Sequence, residues 1–151
     1  MSEITAIIDE LKNIHDGDAW HGPSLKENLA GIPAAQAAAK PIAGGHSIWE
    51  LVSHIAGWEN VFLLRLNGKI VNEPEEGDFP PAGENSEAAW QAARQRLDDV
   101  HEKLLARISA LNDNQLDQTV SGKDYTIRYL LRGLVRHHVY HAGQIGLLKR
   151  V

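Results

Sequence analysis

The 151-residue chain contains no cysteine. Disulfides, thiolate metal sites and a thiol nucleophile borne by the protein are thereby excluded, while compartment is left open. Basic residues are not in excess either. Lys and Arg number 15 against 20 Asp and Glu, a formal net charge of −5. A nucleic-acid or anionic-membrane binder needs a basic footprint, so neither partner class is expected. No apolar run approaches the roughly 20 residues needed to span a bilayer. The opening MSEITAIIDELK lacks a basic region followed by an apolar core, so no secretion signal is read and the cytoplasm is the expected location. There is no internal repeat, no Ser-His-Asp order, no phosphate-binding Gly loop and no carboxylate pair set for acid–base work.

What remains is ordinary for a soluble globular protein, with 43% hydrophobic and 23% charged residues. The length fits a single domain over residues 1–151 with a real core. Four long amphipathic helices are legible. The first is capped by Ser2, carries Ile4, Ile7, Ile8, Leu11 and Ile14, and ends near Gly17. The second opens on Ser47-Ile48-Trp49-Glu50, a capping box, and runs to about Asn67. Its apolar stripe is Ile48, Leu51, Val52, Ile55, Trp58, Phe62 and Leu66, with His54 at the edge. The third is capped by Ser86, and its seam reads Trp90, Ala93, Leu97, Val100, Leu104, Ile108 and Leu111. The fourth starts at Thr126 and reaches Val151.

Between them, Asp16 to Gly45 holds Trp20-His21-Gly22-Pro23 and two short helices, one capped by Ser24 and one begun at Pro33. The Trp-His pair can line a cavity or plug one end of a bundle. Residues 67–85 are acidic and rich in Pro and Gly, a long connection that is either a lid or mobile. Residues 112–125 are turn-rich, with two short extended pieces around Ser121-Gly122-Lys123-Asp124. The architecture expected is all-α, a four-helix bundle.

The last helix carries the chemistry. A 3,4 step along one face gives Ile127, Leu130, Leu134, His137, His141, Gln144, Leu148 and Val151. His137 and His141 are four apart, so their Cβ atoms stand about 5–6 Å apart, one turn above the other. Two imidazoles at that spacing can close on one metal, as both histidines of HExxH do on zinc. Two hydrogen-bonded core histidines explain the same seam equally well. His54 could add a third ring; it lies roughly 10 Å into its helix, whereas His137 and His141 lie about 16–22 Å into theirs. Those depths meet if the helices run antiparallel or are offset. Glu50, four before His54, has its capping box as explanation enough, with orientation of His54 as the lesser alternative. His138 is rotated by about 100° from His137 and is expected to flank the site. Arg128, Arg132 and Arg136 read as a solvated face, and His15, His46 and His101 as uninformative.

HHVYHAGQI in the last helix and SIWELVSHIAGW in the second, together with AWHGPSL, resemble the DinB/YfiT-like superfamily of metalloenzymes. The resemblance implies an up-down-down-up bundle and a divalent metal, often zinc or nickel, held by three histidines. Carried over position by position, the ligands are His54, His137 and His141. The resemblance further implies a homodimer, and activities that include thiol S-transfer with a low-molecular-weight thiol, a thiol-dependent isomerisation and metal-dependent hydrolysis. A metal on three imidazoles lowers the pKa of a bound water or an incoming thiol. Lacking cysteine, the chain would take any thiol as a small-molecule cosubstrate. The expected function is a small-molecule thiol S-transferase. The alternatives are a hydrolase using metal-activated water and a non-catalytic metal or small-molecule binding protein. Trp20, His21, Trp58 and Gln144 are expected to line the substrate pocket.

Overall fold

A computed structural model describes all 151 residues. It is all-helical: α1 Glu3–Asp16, α2 Leu25–Leu29, α3 Ala34–Ala38, α4 Ile48–Leu66, α5 Glu87–Ser109 and α6 Ile127–Leu148, with a 3-10 turn at Asp113–Gln115. The long helices begin where a hydroxyl can take an orphan N–H of the first turn. Ser2, Ser47, Ser86 and Thr126 each accept one, a contribution of about 1 kcal/mol per cap. The box at Ser47 is closed by the Glu50 carboxylate, which accepts the Ser47 N–H at 2.8 Å and also meets Lys40 at 2.7 Å. Glu50 is therefore turned toward its own helix start and away from His54. The two extended pieces expected within 112–125 reduce to a single antiparallel bridge, Thr119 to Thr126.

Paired contacts fix the direction of each long helix. Arg128 and Arg132, early in α6, reach Glu3 at the start of α1, so these two run in the same sense. Asp113, beyond the end of α5, accepts the Glu3 and Ile4 N–H groups, and Asp98 of α5 meets His15 near the end of α1. Thus α5 opposes α1. Trp49 lies against Trp90, Glu59 bonds His101 and the Leu66 carbonyl accepts from Arg107, so α4 and α5 run together. Arg65 bonds Tyr125 at the foot of α6 while His54 meets His137 higher up, so α4 opposes α6. The result is an up-down-down-up four-helix bundle, with neighbours in the ring order α1, α6, α4, α5. No helix is long and apolar enough to cross a membrane.

The interior is not one continuous apolar core. One cluster gathers Leu25, Leu29, Trp49, Val52, Ile55, Trp90, Leu97 and Ile145 at one end. A second gathers Ile4, Ile7, Leu11, Leu66, Leu104, Ile108, Leu131 and Leu134 at the other. Between them, at one level of the bundle, every long helix contributes buried polar side chains: His15, Glu59 with His54, His101, and His138 with His141.

The 67–85 connection is packed onto the bundle. Arg65 donates to the carbonyls of Val71 and Asn72, and Arg96 pairs with Glu76. Pro74 lies so close to α4 that a Cβ on Gly57 would stand 3.1 Å from its ring, which accounts for a glycine in mid-helix.

Candidate metal centre

His54 of α4 and His137 and His141 of α6 converge, and one ring nitrogen from each lies within 4.8 Å of the others. The antiparallel pairing of α4 and α6 brings the sequence depths together. The Nε2 atoms of His54 and His137 are 3.0 Å apart. For bonds of about 2.0–2.1 Å, one ion spaces its ligand nitrogens by roughly 2.9 Å at right angles and 3.3 Å in a tetrahedron. The outer nitrogens of two rings are already occupied. His54 Nδ1 donates to the Asp78 carbonyl at 2.7 Å and lies 3.1 Å from the Asp78 carboxylate. His141 Nδ1 donates to Gln144 Oε1 at 2.5 Å. Both tautomers are thereby set with the Nε2 lone pair facing inward, as a metal site requires. His137 Nδ1 is buried without a partner.

All three rings are held neutral, the state that ligates. Burial pushes His137 down to about 3, with His141, His138 and His54 adding to the effect. Burial likewise pushes His141 down to about 4, against the Gln144 hydrogen bond, and lowers His54 against its bonds to Asp78. The three histidines could hold a metal ion.

The trio closes one end of a cavity of about 510 Å³ walled by Trp58, Phe62, Phe79, Tyr125, Tyr129 and Tyr140. Phe79 stacks face to face on His54, with centroids 4.0 Å apart, and on His46 at 3.6 Å. Trp58 Nε1 donates to the Asp78 carboxylate at 2.6 Å. The strapped connection thus supplies two residues to the site, Asp78 and Phe79.

The sequence model of the DinB superfamily matches residues 20–145. The chain belongs to the DinB superfamily. No curated protein and no solved structure matches it.

Of the four residues expected to line the pocket of this DinB-superfamily chain, Trp58 does so. Trp20 is fully exposed and does not line the aromatic cavity. His21 is also exposed and borders a separate recess beside Asn28 and Ala142. Both sit on an irregular turn outside the helix ring, which offers them no wall of the aromatic cavity. Gln144 does not face the cavity; it holds the far side of the His141 ring.

A second cluster lies deeper. Glu59 Oε1 accepts from His101 Nδ1 at 2.7 Å and from His138 Nε2 at 2.8 Å, while His138 Nδ1 donates to the Leu134 carbonyl. Burial alone would push the Glu59 carboxyl up. The His138 charge and both histidine hydrogen bonds outweigh it and bring the group down to about 2. His138 moves up in turn, because Glu59 outweighs its own burial. His15 stacks on His101 at 3.9 Å and reaches Asp98 at 2.8 Å. His138 flanks the trio without joining it, as expected, while His15 and His101, expected to be uninformative, are buried with it in this layer. A signal for them was present: His101 lies four from Leu97 and three from Leu104, His138 four from both Leu134 and Ala142, and Glu59 four from Ile55. Each occupies a core position of its helix. In α5 the expected seam took Val100 where the buried residue is His101.

Proposed function

We propose that the chain is a metal-dependent enzyme in which His54, His137 and His141 hold a divalent ion of the zinc or nickel type. The aromatic cavity beside them would receive an apolar small molecule. The observation that carries this reading is the set of three neutral imidazoles, with two outer nitrogens pinned by Asp78 and Gln144, at the end of an aromatic chamber. A divalent ion bound there supplies Lewis-acid activation of a nucleophile at neutral pH. The chain's own residues have distinct tasks. Asp78 and Gln144 orient the rings, Phe79 presses His54 into place, and Trp58, Phe62 and Tyr125 offer apolar surface to a bound molecule, with Tyr129 and Tyr140 at the exposed rim.

The reaction proposed is S-transfer from a low-molecular-weight thiol to an electrophile, since the chain has no thiol of its own. One observation favours a second reading, hydrolysis. Histidines apart, Asp78 is the sole charged residue lining the cavity, so no side-chain cation is offered to an anionic group of a thiol cosubstrate, and water needs none. A homodimer belongs to the same proposal; the exposed Tyr129, Tyr140 and Leu147 of α6 support it, and light scattering tests it.

Elemental analysis of untagged protein beside a His137→Ala variant tests the centre. Loss of metal in the variant is expected, and equal metal in both would remove the ligand assignment. In loaded protein, thiol-dependent consumption of an aromatic epoxide or halide that stops on chelation supports transfer. Ester cleavage without thiol supports hydrolysis. Binding of an apolar molecule with neither activity would reduce the protein to a binding module.

A further inference from the structure

The Glu59 cluster has no part in the centre just described, yet its protein atoms do not complete one another. Four buried side-chain atoms in the molecule lack a hydrogen-bond partner, and three belong to this layer: Glu59 Oε2, His101 Nε2 and His15 Nδ1. A buried carboxylate oxygen left without a donor is costly, on the order of 1–3 kcal/mol or more. Glu59 is 0% exposed and His138 is 1% exposed, so bulk water does not serve them. One donor atom from each of Glu59, His101 and His138 lies within 4.8 Å of the others. Two imidazoles and one carboxylate make a donor set suited to zinc, iron or cobalt in the divalent state. The N···O separations of 2.7 and 2.8 Å need to open by only a few tenths of an ångström to admit an ion bonded at about 2.0–2.2 Å, which takes the place of the protons the two rings donate to Glu59 and releases them to solvent.

The supporting framework is present, and a surface recess reaches one of the three donors, His101. The three donors come from α4, α5 and α6, and His15 of α1 lies flat on the His101 ring. A polar recess of about 360 Å³ between α1 and α5 is lined by His15, His101, Asp98 and Lys26. In the ring order of the helices it opens on the side opposite the aromatic cavity.

We propose that Glu59, His101 and His138 form a second binding site for a divalent first-row transition metal, separate from the three-histidine centre and reached from the opposite face. Zinc stoichiometry on untagged, gel-filtered protein tests it. Zinc-saturated wild type is expected to carry two ions per chain, falling to one in Glu59→Gln and to one in a His137→Ala, His141→Ala double variant. A wild type that saturates at one zinc, lost in the double variant, overturns this site and leaves the three-histidine centre standing. Two zinc ions retained in Glu59→Gln also overturns it. Should Glu59→Gln fail to fold, anomalous scattering at the zinc edge from wild-type crystals decides. A peak bonded to Glu59 and His138 is the expected result; density of water alone there, with zinc confined to His54, His137 and His141, overturns the site.

Discussion

The two histidine clusters sit side by side and are built on opposite terms. The His54, His137 and His141 trio faces an open aromatic chamber, contains no carboxylate in its inner set and keeps its rings uncharged. The Glu59, His101 and His138 cluster is buried between two apolar regions and holds its carboxylate between two imidazoles. Adjacent residues of one helix, His137 and His138, therefore have pKa values displaced in opposite directions. Desolvation governs where no counter-charge is present, and a hydrogen-bonded carboxylate reverses it where one is. The trio opens on a cavity, whereas the buried cluster ties three helices together.

The sharpest way to break this comparison is to remove the carboxylate. Glu59→Ala removes the acceptor shared by two buried imidazoles and leaves a cavity, and is expected to cost about 3 kcal/mol or more, measured by urea denaturation at neutral pH. His137→Ala in the same assay is expected to cost roughly 1 kcal/mol. Equal losses would mean that the two clusters carry the same structural weight.

Acid sharpens the contrast. Metal-free His137 titrates at about 3 and His15 and His141 at about 4 in the folded chain, below the 6.5 of an unfolded histidine. The unfolded state therefore binds more protons in that window, and stability is expected to fall as pH drops from 6.5 toward 4. Glu59 adds stability above the ordinary carboxylate range, lost only as pH falls toward about 2. His138 contributes in the other direction, fully below 6.5 and less as pH rises through its raised value. Denaturation midpoints across this range check the slope, and His137→Gln should flatten it between 6.5 and 4.

A smaller effect is expected from the residues that orient the open trio. Gln144→Ala should weaken metal binding there by roughly 10–100-fold, read by competition with a chelator. Asp78→Ala should do less, because the backbone carbonyl that accepts from His54 survives the substitution. The least effect belongs to Trp20→Ser, expected to change stability by no more than about 0.5 kcal/mol and ligand affinity not at all.

Much of this could be read from the chain. Ser47 followed by Glu50 marked the start of α4, the 3,4 periodicity marked the long helices, and the four-residue step from His137 to His141 marked one edge of the centre. Two kinds of feature escaped. Core seams were read by apolarity, so the polar residues Glu59, His101 and His138 were passed over although their spacing placed them inside. Contacts across the chain also left no local trace: Phe79 reaches His54 from a Pro- and Gly-rich stretch in which nothing periodic sets its direction. Trp20 failed for a related reason, since a bulky aromatic residue in a loop carries no indication of which way it faces.

The polar layer across the bundle has a bearing on how the molecule opens. With greasy contacts grouped above and below it, the two ends communicate chiefly through Glu59 and its partners. Deuterium uptake at backbone amides is therefore expected to reveal two exchanging units that merge into one when this layer is intact and part when Glu59 is neutralised.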